Sequence, residues 1–191
     1  MEIIILDSET TGLNFLTDEI IQCAAIRVDV TSGIVRDYLN IFMEATGKNL
    51  DAQALQVNGY YRGKWKKEIK DDRLVTKRTG SLKIIEFLKK GDYIFSHNSP
   101  FDKSFVTAHI FKNTSMDPRL LPKYWFDTAT IAFLFKYYLP DFKAISLDYC
   151  STMFKVNLPR DKSHDALQDC MILKDVFFKM MKGLTIRPGV L

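Results

Sequence analysis

The stretch Glu2-Ile3-Ile4-Ile5-Leu6-Asp7-Ser8-Glu9-Thr10-Thr11-Gly12-Leu13 opens the chain and decides how the rest is read. Glu2 to Asp7 is β-branched and apolar, the pattern of a buried strand. Asp7 to Asn14 is polar around Gly12 and reads as a turn. Alternate residues of a strand point to one side. Asp7 and Glu9 therefore share one face at the end of a buried element. Like charges held together raise each other's pKa unless something neutralises them. A divalent cation does so, and an open, oxygen-rich site suits Mg²⁺ or Mn²⁺. A solvated strand end carrying two unrelated acids is the plainer alternative. The Thr10-Thr11-Gly12-Leu13 turn offers backbone amides to a substrate.

Outward from this strand, Glu19 to Val30 and Ile34 to Met43 are β-rich runs broken at Thr31-Ser32-Gly33, which predicts a hairpin and three antiparallel strands at the start. Asp51 to Val57 reads as a short helix. Gly59 to Thr79 is basic and poorly periodic. Ser81 is placed as the N-cap of a helix ending near Gly91, and Asp92 to Ser96 as a short strand. Helices are expected over Asp102–Phe111, over Asp127–Tyr138 with Asp127 as cap, and from Ser146. A last helix runs from near Ser163 to about Lys182, its apolar set (Ala166, Cys170, Leu173, Val176, Phe177, Met180, Met181) repeating every 3.6 residues. Strands followed by mixed strand and helix predict an α/β sandwich with helices flanking a mixed sheet. The chain reads as one domain over 1–182 with a C-terminal tail over 183–191.

Composition agrees. In 191 residues, 47% are hydrophobic and 26% charged, a globular balance that excludes a disordered, collagen-like or coiled-coil chain. The opening apolar run ends at Asp7 and no basic segment precedes it, so neither a signal peptide nor a membrane span is expected. Cys23, Cys150 and Cys170 lack CxxC spacing and read as reduced core residues of an intracellular protein. The net charge of +4 is uneven: Tyr60 to Lys90 holds eleven basic and four acidic residues, a local +7 that leaves −3 for the remainder. The basic segment, with Tyr60, Tyr61 and Trp65 interleaved, suits a polyanion or is a solvated helix face.

Two more polar segments carry carboxylates. His97-Asn98-Ser99-Pro100-Phe101-Asp102 follows a short apolar strand, and Asp102 is expected to open a helix, where an acid also complements the helix dipole. Ser163-His164-Asp165-Ala166-Leu167-Gln168-Asp169 begins the last helix. Histidine as a residue type carries protons near neutral pH, which suits His164 to a general base. Asp169 lies five residues on, so the two need not touch. Asp127 and Asp148 are set aside as helix caps, and His109 as a helix-surface residue.

In order and spacing, these three segments resemble the DEDDh 3′–5′ exonucleases, the DnaQ-like branch of the ribonuclease H-like superfamily. The motifs are Asp7-Ser8-Glu9-Thr10-Thr11-Gly12-Leu13, the His97-Asn98 to Phe101-Asp102 run, and His164 to Asp169. Asp18-Glu19-Ile20-Ile21-Gln22, Asp127-Thr128 and Ser146-Leu147-Asp148 agree as well. Gln22 stands where family members often carry an acid, and Ser163 where an Arg or other polar residue often precedes the histidine. The resemblance implies a ribonuclease H-like mixed five-stranded sheet, three antiparallel strands first, flanked by helices.

It further implies that Asp7, Glu9, Asp102 and Asp169 hold two Mg²⁺ or Mn²⁺ ions, with His164 as general base. A metal pair of this kind activates the attacking water and stabilises the leaving 3′-oxygen. Thr10, Thr11, Leu13, Asn98 and Phe101 are the implied substrate contacts. Leu13 and Phe101 would meet the terminal base, the Thr10 and Thr11 amides the sugar, and Asn98 the phosphate or its own turn. The expected reaction is 3′–5′ hydrolysis of single-stranded nucleic acid, DNA favoured, releasing nucleoside 5′-monophosphates. The rival readings are RNA trimming and a catalytically silent binding module. A polymerase or repair partner would be a separate chain.

Overall fold

In the computed structural model, residues 1–46, 50–60, 73–156 and 164–185 are described, apart from the side chains of Pro118 and Thr185. The basic residues from Tyr61 to Lys70, Trp65 among them, lie outside this set, as do Ser163 and the last six residues.

Three strands come first: β1 (Glu2–Thr10), β2 (Ile20–Asp29) and β3 (Val35–Phe42). β1 pairs antiparallel with β2, and β2 with β3. The chain then crosses back, so that β4 (Tyr93–Ser96) runs parallel to β1 and β5 (Tyr124–Asp127) parallel to β4. The order β3-β2-β1-β4-β5 is the expected mixed five-stranded sheet. Its direction of growth reverses between β1 and β4. Open sheets bind ligands outside the carboxyl ends of their strands at such a reversal. Asp7 and Glu9 lie at that end of β1, and the His97–Asp102 segment directly follows β4.

β1 alternates between two apolar layers. Ile4 and Leu6 pack with α2 (Lys77–Leu88) and α3 (Ser99–Thr114), through Ile84, Leu88, Phe105 and Val106. Ile3 and Ile5 pack with α6 (Ala166–Thr185), through Ala166, Cys170, Leu173 and Phe177. A third cluster joins α4 (Thr128–Tyr138) and α5 (Leu147–Met153) to α6 around Phe135, Phe142 and Val176. A short helix, α1, spans Ala52–Val57 and is capped by Asp51. Each of the three clusters holds one buried cysteine, Cys23, Cys170 and Cys150 in turn, and all three are free thiols. Among the described residues no helix is long and apolar enough to cross a membrane.

Several expectations need correction. β1 continues to Thr10, so Asp7 to Thr10 are strand rather than turn; pairing with β2 holds the polar end extended as far as a register shift at Glu9/Thr10. The cap of α2 is Thr76, whose hydroxyl accepts the Thr79 amide, while Ser81 lies inside the helix and donates to the Lys77 carbonyl. α3 begins three residues before Asp102, because Pro100 suits the first turn. His109 is buried on the face it shares with Phe105 and Val106, not on the surface. α6 begins only at Ala166, not near Ser163, and runs on to Thr185, a little past the expected helix end near Lys182.

Candidate active site

The carboxylates come from both faces of the sheet. Alternation along β1 sends Ser8 to the α2/α3 side and Asp7 and Glu9 to the α6 side. Ser8 Oγ donates to Asp102 Oδ1 at 2.7 Å. Asp102 sits in the first turn of α3 and is only 3% exposed. On the other side, Glu9, His164 and Asp169 each place a ligand-type atom within 4.8 Å of the others. Asp7 is half-buried one position before Ser8, outside this tight trio.

His164 and Asp169, which the spacing left free to touch or not, do touch: His164 Nδ1 lies 3.2 Å from Asp169 Oδ2. Five residues apart they would face different ways on one continuous helix. However, α6 starts only at Ala166, so His164 precedes it and folds back. The His164 amide donates to the Val57 carbonyl at 3.0 Å, which ties this segment to the end of α1. Asp165 caps α6, its Oδ1 accepting the Leu167 and Gln168 amides at 3.1 Å.

Burial pushes the Glu9 carboxyl up to about 7; nearby His164 pulls it down, and Asp169, Asp165 and Asp102 push it further up. Burial likewise pushes Asp102 up to about 7, against the Ser8 and Ser96 hydroxyls, which favour its charged form. Among the described residues no lysine or arginine pairs with either acid. Buried acids with no lysine or arginine to pair with are a donor set that fits a divalent cation.

The loop after β4 is fixed by groups whose partners the sequence does not reveal. Asn98 has a left-handed backbone (φ 69°) and makes no side-chain cap. Its amide and that of Ser99 donate to Asp127 Oδ1 at 2.8 and 3.3 Å, and the same oxygen caps α4 through Ala129. His97 is held between Thr128 Oγ1 (3.0 Å) and the Ile145 carbonyl (2.7 Å), and burial keeps its imidazole below the usual range. Phe101 is half-buried, its ring 4.7 Å from Phe105. Ser8 was also missed; its position between two acids on a strand was the available signal.

Around the first motif, Thr11 is fully buried and its amide donates to the Glu19 carbonyl at 2.9 Å, so that amide is not available to a sugar. Thr10 is buried, with its hydroxyl on the Gly12 carbonyl at 2.6 Å. Gly12 passes so close to the Asp18 carboxylate that a Cβ would collide with it. That carboxylate accepts the Asn14 amide at 2.8 Å, and the braced loop leaves Leu13 82% exposed.

Comparison with known proteins agrees with this geometry. Residues 4–177 match the RNase_T family, described as Exonuclease. Ribonuclease T of Actinobacillus pleuropneumoniae is 29% identical over 198 residues, covering 95% of this chain and 84% of the relative. A PolC-type DNA polymerase III of Thermotoga petrophila is 28% identical over 188 residues, covering 96% of this chain and 12% of the polymerase. The zinc-bound complex of E. coli exonuclease I with single-stranded DNA has the same fold (TM-score 0.76, 18% identity), covering 97% of this chain and 41% of that one. With the family match running through all three acidic segments, the chain belongs to the exonuclease family, in its divalent-metal-dependent DEDDh, DnaQ-like branch.

Proposed function

We propose that the protein is a 3′–5′ exonuclease that hydrolyses single-stranded nucleic acid, DNA in preference to RNA, and releases nucleoside 5′-monophosphates. The observation that carries this reading is the convergence of Glu9, His164 and Asp169 within 4.8 Å at the sheet reversal. Asp7, Glu9, Asp102 and Asp169 are the residues to hold two Mg²⁺ or Mn²⁺ ions. When bound, these ions supply charge neutralisation of the phosphate and acidify the attacking water. His164 is the base. Its Nδ1–H donates to Asp169, which leaves the Nε2 lone pair to accept a proton from water. The imidazolium so formed is stabilised by the Asp169 carboxylate. The water oxygen attacks phosphorus, the bond to the 3′-oxygen breaks, and the shortened strand keeps a 3′-hydroxyl. Leu13 and Phe101 offer apolar surface to the terminal base, a contact that tolerates any sequence. Asn98, exposed at the start of α3, is the residue to meet the scissile phosphate.

The PolC-type relative and the DNA complex of exonuclease I support the DNA reading, and the PolC-type relative supports a polymerase as partner. The ribonuclease T relative supports RNA as the second reading. A silent binding module has no use for a complete acidic set. The test uses matched 5′-labelled DNA and RNA strands with Mg²⁺, Mn²⁺ or EDTA, for wild type and Asp7→Ala. A metal-dependent ladder shortening from the 3′ end, absent in the variant and faster on DNA, is expected. Binding of both strands without cleavage overturns the reading.

A further inference from the structure

Gln22 occupies a position for which the catalytic reading has no role. It is 2% exposed on β2, directly across the pairing from Glu9 on β1. Its amide group is fully used. Oε1 accepts the Ala166 amide, the first of α6, at 3.3 Å. Nε2 donates to Asp165 Oδ2 at 3.2 Å and to Asn40 Oδ1 at 3.1 Å. Asp165 in turn caps α6 through its other oxygen. One side chain of the central sheet thus holds the first amide of α6 and the residue that caps it, and His164 is the next residue back along the chain.

We propose that Gln22 is a positioning residue for hydrolysis: its buried amide locks the start of α6 onto β2 and so sets where His164 and Asp169 stand relative to Glu9. This rests on the exonuclease reading for its kinetic consequence but not for the contact itself. The chemistry of the position selects glutamine. Asp165 and Asn40 present acceptor oxygens and Ala166 presents a donor, so the clamp needs a donor and an acceptor on one short group. A glutamate would satisfy Ala166 alone and would set a second carboxylate oxygen against that of Asp165. A methionine of similar length would leave all three partners unpaired. The precision matters because a misplacement of about 1 Å of a catalytic group can cost about a hundredfold in rate.

The test compares Gln22→Met and Gln22→Glu with wild type in steady-state cleavage of a single-stranded oligonucleotide. It also follows hydrogen exchange of the amides from Ala166 to Asp169. Gln22→Met is expected to lower kcat at least tenfold while KM stays within twofold, and to speed exchange in that first turn of α6. Gln22→Glu, which keeps the length and one acceptor, is expected to fall between the two. A kcat within twofold of wild type in the folded Gln22→Met protein overturns the proposal. So does a loss of kcat that merely follows a loss of folded protein. If wild type cleaves neither strand, the exonuclease reading fails on its own account. The exchange measurement then decides the clamp, and unchanged exchange from Ala166 to Asp169 refutes it.

Discussion

Removing the buried Glu9 carboxylate should make the metal-free protein more stable. Glu9 is held at about 7 instead of its ordinary 4.5, chiefly by burial. A folded pKa above the unfolded one means that the native state prefers the protonated acid. The stability this confers is complete below about pH 4.5 and is lost as pH rises through about 7. One pKa unit corresponds to about 1.4 kcal/mol, so the ionised Glu9 opposes folding by about 3 kcal/mol at pH 8. Glu9→Gln removes that penalty with little change of shape. For a chain of this length, about 3 kcal/mol moves the melting temperature by about 6 °C or more. The assay is thermal unfolding of both proteins after EDTA treatment, between pH 5 and 8. Buried His109, its imidazole lowered to about 4 mainly by burial, works in the opposite sense, losing stability as pH falls from 6.5. Both proteins carry it, so the difference between them isolates Glu9. The variant should match wild type near pH 5 and exceed it at pH 8. Saturating Mn²⁺ should close or reverse the gap, since ligand at a hundred times its Kd adds about 2.7 kcal/mol to the protein that binds it. A variant no more stable than wild type at pH 8 in EDTA would refute the reasoning.

Three other outcomes follow from named contacts. His164→Asn should lower kcat by about 10²–10⁴ while Mn²⁺ still raises the melting temperature; loss of the Mn²⁺ shift as well would make His164 a ligand rather than the base. Leu13→Ser should leave stability within about 0.5 kcal/mol, as expected for a side chain that is 82% exposed, yet raise KM for a strand about fivefold; an unchanged KM removes Leu13 from the substrate site. Phe105→Ala, at a side chain 2% exposed between α2 and α3, should cost about 3–5 kcal/mol in urea unfolding; a cost under about 1 kcal/mol would contradict the packing described.

What the sequence disclosed depended on how local the determining physics was. Asp127 read directly as a helix cap because a short polar side chain bonds an amide two residues on, a contact complete within one turn; Asp148 looked like a cap too, but Ser146 caps α5 and Asp148 lies in its first turn. The alternation of Ile3, Ile4, Ile5 and Leu6 announced a strand buried on both faces. The start of α3 was misplaced although Ser99-Pro100 signalled it, because Asp102 looked like a cap and its tie to Ser8, 94 residues away, is not a local fact. His109 was read by residue type instead of by its position four residues after Phe105, on the apolar stripe. The contact between His164 and Asp169 depends on where α6 begins, and the first amide of α6 bonds to Gln22, more than 140 residues earlier. The motifs located the acids; the tertiary contacts that bring them to one place had no signature in the spacing.

The three thiols give the protein a set of built-in reporters. Burial raises the pKa of each, so the folded state offers alkylating reagents almost no thiolate. Because Cys23, Cys170 and Cys150 lie in three different apolar clusters, the order in which they become labelled under native conditions would rank the lifetimes of those layers. Early trapping of Cys150 alone would show α4 and α5 parting from the body while both sides of the sheet stay closed. Joint trapping of all three would show a molecule that opens only as a whole.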